Sequence, residues 1–83
     1  MRYRAKIEVS LKPGHSEPEG EMTGQSLREL KYPVKSVSVS KVYEVYFEAK
    51  SRDEAEKQVD EMCRRLLANP TKDDHRFEIE EVK

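Results

Sequence analysis

Every odd position from Tyr3 to Leu11 is apolar (Tyr3, Ala5, Ile7, Val9, Leu11), and Arg4, Lys6, Glu8 and Ser10 fill the positions between. A period of two is that of a strand with one buried face. The stretch "KPGHSEPEG" then brings two prolines and two glycines within nine residues, so the chain leaves the sheet in a loop. Pro18 suits the first turn of a helix, where its missing N–H has no partner to lose, and Met22, Leu27 and Leu30 recur at near-helical spacing up to Tyr32. Gly20 and Gly24 each cost a helix interior about 1 kcal/mol against alanine, so this helix is expected to hold its shape by docking on the sheet.

Alternation returns in "VKSVSVSKVYEVYFEA". Val37, Val39, Tyr43, Val45, Phe47 and Ala49 share one parity, with Lys41 the sole intruder. A two-residue turn at Ser40-Lys41 would throw Tyr43, Val45 and Phe47 onto the other face, so the spacing predicts either a three-residue connection or one long bent strand. On the opposite parity Val42 and Tyr46 interrupt the polar residues and leave apolar surface for a second chain. Ser51 followed by Glu54 is a capping-box pattern, and Ala55, Val59, Met62, Cys63, Leu66 and Leu67 then form one apolar stripe. Arg64 and Arg65 complement the dipole of the last turn, and Asn69-Pro70 marks the end, asparagine being able to take the left-handed closing conformation. "HRFEIEEV" alternates once more, with Phe77 and Ile79 inward. The expected class is α+β in the ferredoxin-like order β-α-β(β)-α-β: two helices on one face of a mostly antiparallel sheet of three to four strands.

Eighty-three residues permit one domain, spanning residues 1–83, with a thin core; a chain this short gains further burial by oligomerising. Sixteen basic and seventeen acidic residues are interspersed, and the net charge of -1 argues against nucleic-acid binding through bulk electrostatics. The absence of an apolar run of signal-peptide or membrane-span length points to a soluble cytoplasmic protein and away from a membrane partner.

Candidate chemistry is sparse. The only cysteine, Cys63, lies on the apolar stripe of the second helix, where packing is the ordinary role of a thiol. His15 and His75 have no metal-ligand spacing near them. Glu17-Glu19-Glu21 and Asp73-Asp74 read as solvated surface, and the glycine loop lacks the closing Gly-Lys-Ser/Thr of a phosphate cradle. No catalytic, cofactor-binding or metal-ligating set of residues is expected, which favours an accessory or interaction protein. Two rivals are a stand-alone ferredoxin-like module reading single-stranded RNA and a small redox or metal enzyme using Cys63. The first would want stacked aromatic residues amid positive charge, and the second a depressed thiol pKa.

"VSLKPGHSEPEG", "LRELKY", "SVSVSKVYEV" and "VDEMCRRLLANP" resemble, in order and spacing, the PurS family, the small subunit of phosphoribosylformylglycinamidine synthase. The chain departs from the family pattern at several points. Glu17 replaces an aspartate, Lys31 and Ser40 stand where glycine is common, and Thr71-Lys72-Asp73 replaces an apolar pair and glutamate. A non-glycine residue at a position of positive φ is strained, so turn geometry at Lys31 and Ser40 is a point to examine. The resemblance implies a subunit that makes no bonds itself within an ATP- and glutamine-dependent ligase of purine biosynthesis. A large subunit, PurL, uses ATP and magnesium to activate formylglycinamide ribonucleotide, a glutaminase, PurQ, frees ammonia, and PurS-like dimers bridge the two. A homodimer, possibly a dimer of dimers, built by packing or edge pairing of the sheets is expected, with the outward apolar residues Val42 and Tyr46 and their strand neighbours in the contact. The loop carrying Lys12, Pro13, Gly14, Glu17, Pro18 and Gly20, and the turn carrying Asn69, Pro70 and Asp73, are the expected surface for the larger subunits, since loops on a rigid sheet commonly carry recognition.

Overall fold

The computed structural model describes residues 1–15 and 17–83. Within them the elements are β1 (Arg2–Leu11), α1 (Pro18–Glu29), β2 (Lys41–Glu48), α2 (Arg52–Met62) and β3 (Asp73–Val82), with a π-helical turn at Cys63–Leu67 prolonging α2. β1 is the central strand of the order β2-β1-β3 and pairs antiparallel with both neighbours. Ile7 stands between Tyr43 and Phe77, and Ala5 between Val45 and Ile79, so the odd residues of all three strands share one face. That face forms the core with Ala55 and Val59 of α2 and Cys63 of the π-helical turn. The class is α+β, as the alternation and the helical stripe require.

The second helix starts as its sequence dictates. Ser51 Oγ accepts from the Glu54 N–H at 3.2 Å, and the Glu54 carboxylate reaches back to the N–H of Lys50 at 2.8 Å, one residue before the cap. Ala55, Val59, Cys63 and Leu67 are spaced by four, wider than the 3.6-residue turn, and the chain keeps them on one side by widening its last turn. There the Ala68 N–H donates to the Cys63 carbonyl at 2.9 Å. The wide turn swings Leu66 out of the expected stripe, leaving it 83% exposed. Asn69 does not take the left-handed conformation, because Ala68 has already turned extended (φ −127°, ψ 141°). The Asn69 side chain instead accepts from the Thr71 N–H at 2.9 Å, which closes the turn into β3.

The first helix opens with Pro18 in its first turn, as expected, but its buried residues are Gly20 and Gly24. Met22 and Leu30 are 69% and 67% exposed, so of the apolar spacing seen in the sequence only Leu27 turns partly inward beside the glycines. The glycines are there because the helix lies directly on the stretch around Val37. A Cβ on Gly20 would overlap the Val37 carbonyl oxygen, and one on Gly24 would meet the Val37 side chain at 3.6 Å. Contact between α1 and the strands is marginal. Residues 33–40 run without turn or bend into β2, so no hairpin interrupts 34–49, and only Lys41–Glu48 joins the ladder. The absence of glycine at Ser40 is therefore harmless, whereas Lys31 does adopt positive φ, at 75°.

Candidate partner interface

Three surfaces stand out, and the first is one end of the sheet. The Lys12 N–H donates to the Lys72 carbonyl at 2.7 Å, and Lys12 Nζ lies 3.9 Å from Asp74 Oδ1. These contacts bring the Lys12–Gly20 loop and the Asn69–Asp74 turn side by side, so most of the sequence-predicted partner residues form one surface. Ser16, within that loop, lies outside the described residues. Pro13, Gly14, Pro18, Asn69 and Pro70 are exposed, and Gly14 needs its missing side chain to hold φ 92°. Asp73 faces the turn, its carboxylate accepting from the Asn69 N–H at 2.9 Å. Glu17 accepts from the Val39 N–H and so ties the foot of α1 to the 33–40 stretch. Gly20 is buried against that same stretch and belongs to its docking, so this member of the expected set lies apart from the exposed end formed by the others.

The second surface is the outer face of the sheet. Arg4 of the central strand bridges Glu80 at 2.5 Å and Glu44 at 3.6 Å, and Arg76 meets Glu8 at 2.5 Å. The Arg4 pKa is raised, first by hydrogen bonding to Tyr46 and then by Glu80. Such exposed pairs are screened by solvent, so they order the face more than they stabilise it. Val42 and Tyr46 rise from this lattice, 52% and 61% exposed, as the parity of β2 anticipates. The acids leave little net positive charge around Tyr46, and one ring is a poor platform for stacked bases.

The third surface, missed in the sequence, joins Met22, Leu30 and Tyr32 along α1 and its exit, all more than half exposed. Their spacing resembles that of a buried stripe. The only sequence signal against burial is the pair Gly20 and Gly24, four residues apart on the opposite side of the helix.

Cys63 is fully buried, and burial, reinforced by the charge of Asp60, pushes its thiol pKa up, away from the thiolate a nucleophile needs. Among the described residues no cluster of three or more His, Cys, Asp or Glu could hold a metal ion. No helix among them is long and apolar enough to cross a membrane.

Comparison with known proteins agrees with this picture. The family model PurS, phosphoribosylformylglycinamidine (FGAM) synthase, matches residues 4–81. The phosphoribosylformylglycinamidine synthase subunit PurS of Archaeoglobus fulgidus is 49% identical over 67 residues, covering 80% of this chain and 84% of its own. Thermus thermophilus PurS superposes with a TM-score of 0.89 at 36% identity, over 100% of both chains. A chain in the structure of PurLQS from Thermotoga maritima superposes with a TM-score of 0.83 at 29% identity, over 99% of both. The extent of these matches leads to one conclusion: the chain belongs to the PurS family, subunits of phosphoribosylformylglycinamidine synthase in purine biosynthesis.

Proposed function

We propose that this chain acts without catalytic residues of its own, as a cytoplasmic bridge between the glutaminase subunit PurQ and the large synthetase subunit PurL, with ATP and magnesium held on PurL. The observation that carries this reading is its near full-length likeness to a chain of the Thermotoga maritima PurLQS structure. The surfaces described above support it, because they offer docking sites and no reactive constellation. The physical need is plain: ammonia released into neutral water is mostly protonated and lost as a nucleophile, so donor and acceptor sites work best across a sealed junction. In this reading the Lys12–Gly20 and Asn69–Asp74 end meets the larger subunits. The protein itself is a homodimer or dimer of dimers, with β2, including Val42 and Tyr46, in the self-contact.

Size-exclusion chromatography with light scattering on this chain mixed with the matching PurL and PurQ, with glutamine and adenine nucleotide present, tests the bridge. A complex containing all three chains, which separates into free PurL and PurQ when this chain is omitted, is the expected result. PurL and PurQ assembling equally well without it contradicts the proposal.

A further inference from the structure

Leu66 is the most exposed large apolar side chain among the described residues, at 83%, ahead of Met22 and Leu30. A lone surface leucine is ordinary, but the backbone puts this one there. Leu66 follows Ala55 by eleven residues, and three turns of α-helix take about 10.8, so regular geometry would carry it into line with Ala55 on the buried stripe. The π turn at Cys63–Leu67 breaks that line: Leu67 comes inward and is part-buried, while Leu66 goes to solvent. One leucine is exchanged for another, so the isolated chain gains no apolar burial from a wide turn that helices seldom adopt. Single π turns inside helices are frequent at functional sites, and what this one changes is the side chain on display.

That display stands at the sheet end that gathers the Lys12–Gly20 loop and the Asn69–Asp74 turn. Arg64 and Ala68 share a depression with Lys12 and Pro70, and Leu67 shares another with Leu11 and Lys72, so the π turn adjoins both segments. Met62, one turn before Leu66, is half-buried and widens the apolar patch on that side of the helix. Charge narrows the kind of surface that can meet it. Arg64 is held by Asp60 at 2.7 Å and Lys12 lies 3.9 Å from Asp74, whereas the exposed Arg65 and Lys72 form no ion pair among the described residues. The Asp73 carboxylate is engaged by the Asn69 N–H at 2.9 Å, and Glu61, a turn before Arg65, does not pair with it. An excess of positive charge is left beside Leu66.

We propose that Leu66 is the anchor by which this end of the protein docks on a larger subunit: it enters an apolar socket on that subunit, and carboxylates at the rim of the socket meet Arg65 and Lys72. This inference rests on the bridging role proposed above and names the residue that carries the contact. Leu66 already stands clear of the core, so covering it demands no rearrangement of the chain, and the water released from both apolar surfaces favours the contact. Arg65 beside it is suited to a carboxylate rim, because a guanidinium donates two parallel N–H bonds to one carboxylate.

The test is sedimentation velocity over a dilution series, with the matching PurL and PurQ, glutamine and adenine nucleotide present, on the native chain and on Leu66→Glu, Leu66→Met and Arg65→Glu. Leu66→Glu should weaken the three-chain complex by about tenfold or more. Leu66→Met should retain it, and Arg65→Glu should weaken it and flatten its salt dependence. Each variant alone should sediment as the native chain does. Leu66→Glu assembling with native affinity overturns the anchor and leaves the bridge standing. A Leu66→Glu chain that by itself sediments differently from the native one places Leu66 in the self-contact and overturns the anchor too. A native chain that forms no complex with either subunit overturns both readings.

Discussion

Lys31, just past the last turn of α1, is the one non-glycine with positive φ among the described residues, at a position where the family resemblance anticipates glycine. The left-handed region costs an ordinary residue about 1–2 kcal/mol, and glycine's greater freedom in the unfolded chain takes back about 0.5–1 kcal/mol. Lys31→Gly should therefore raise the urea midpoint by the equivalent of about 0.5–1 kcal/mol at unchanged m-value, and a lower midpoint would show that the lysine side chain contributes more than its backbone loses. Cys63 carries a second expectation. Burial, then Asp60, raises its thiol pKa above the unfolded value, so the protein holds the proton where the unfolded chain releases it. The resulting stability is fully present below the ordinary thiol pKa and is lost as pH rises through the folded one. Denaturation series at increasing alkaline pH should show this decline flattened in Cys63→Ala, and native protein should react slowly with iodoacetamide. An unchanged pH slope in the variant would remove Cys63 as its cause.

The strands were legible in the sequence because a period-two pattern leaves a single choice of inward face, and the register sets the odd residues of all three strands on that face, buried along β1 and part-buried at Tyr43, Val45, Phe47 and Phe77. α2 was legible to its last turn, since Ser51 and Glu54 cap it locally and the stripe follows from spacing. Two features were not. The π turn depends on keeping Leu67 over the core, a tertiary demand that local propensity does not express, and it turns Leu66 outward. The seating of α1 on two glycines depends on a close approach to the Val37 carbonyl, which apolar periodicity cannot register. Gly20→Ala should push α1 off that stretch, at about 1–3 kcal/mol of local overpacking, while the three-stranded sheet persists. Hydrogen exchange would show protection falling in α1 alone; equal loss across β1 would mean that α1 is integral to the core. Leu66→Glu should leave stability within about 0.5 kcal/mol, since the side chain is already in water.

As a whole, the molecule is a thin sheet with one helix layered over it, a second helix held out on an unpaired stretch, and the Lys12–Gly20 loop and Asn69–Asp74 turn gathered at one end. That end was legible in part. The sequence named both loops, but their juxtaposition rests on the Lys12 N–H reaching Lys72 across the sheet end, a pairing no spacing reveals. Lys12 is the cleaner residue for testing that end, because Asp73 also closes its own turn through Asn69, whereas the Lys12 ammonium makes only a long contact with Asp74. Lys12→Glu should weaken co-elution with the larger subunits while the thermal midpoint stays within a few degrees; unaltered assembly would move the contact elsewhere. In the proposed bridging role the chain joins two active sites and contributes chemistry to neither. The most direct measurement is the synthase rate of the matching PurL and PurQ with and without this protein, driven in parallel by glutamine and by free ammonia. The glutamine-driven rate should depend on the chain and the ammonia-driven rate should not. A glutamine-driven rate indifferent to its presence would contradict that role.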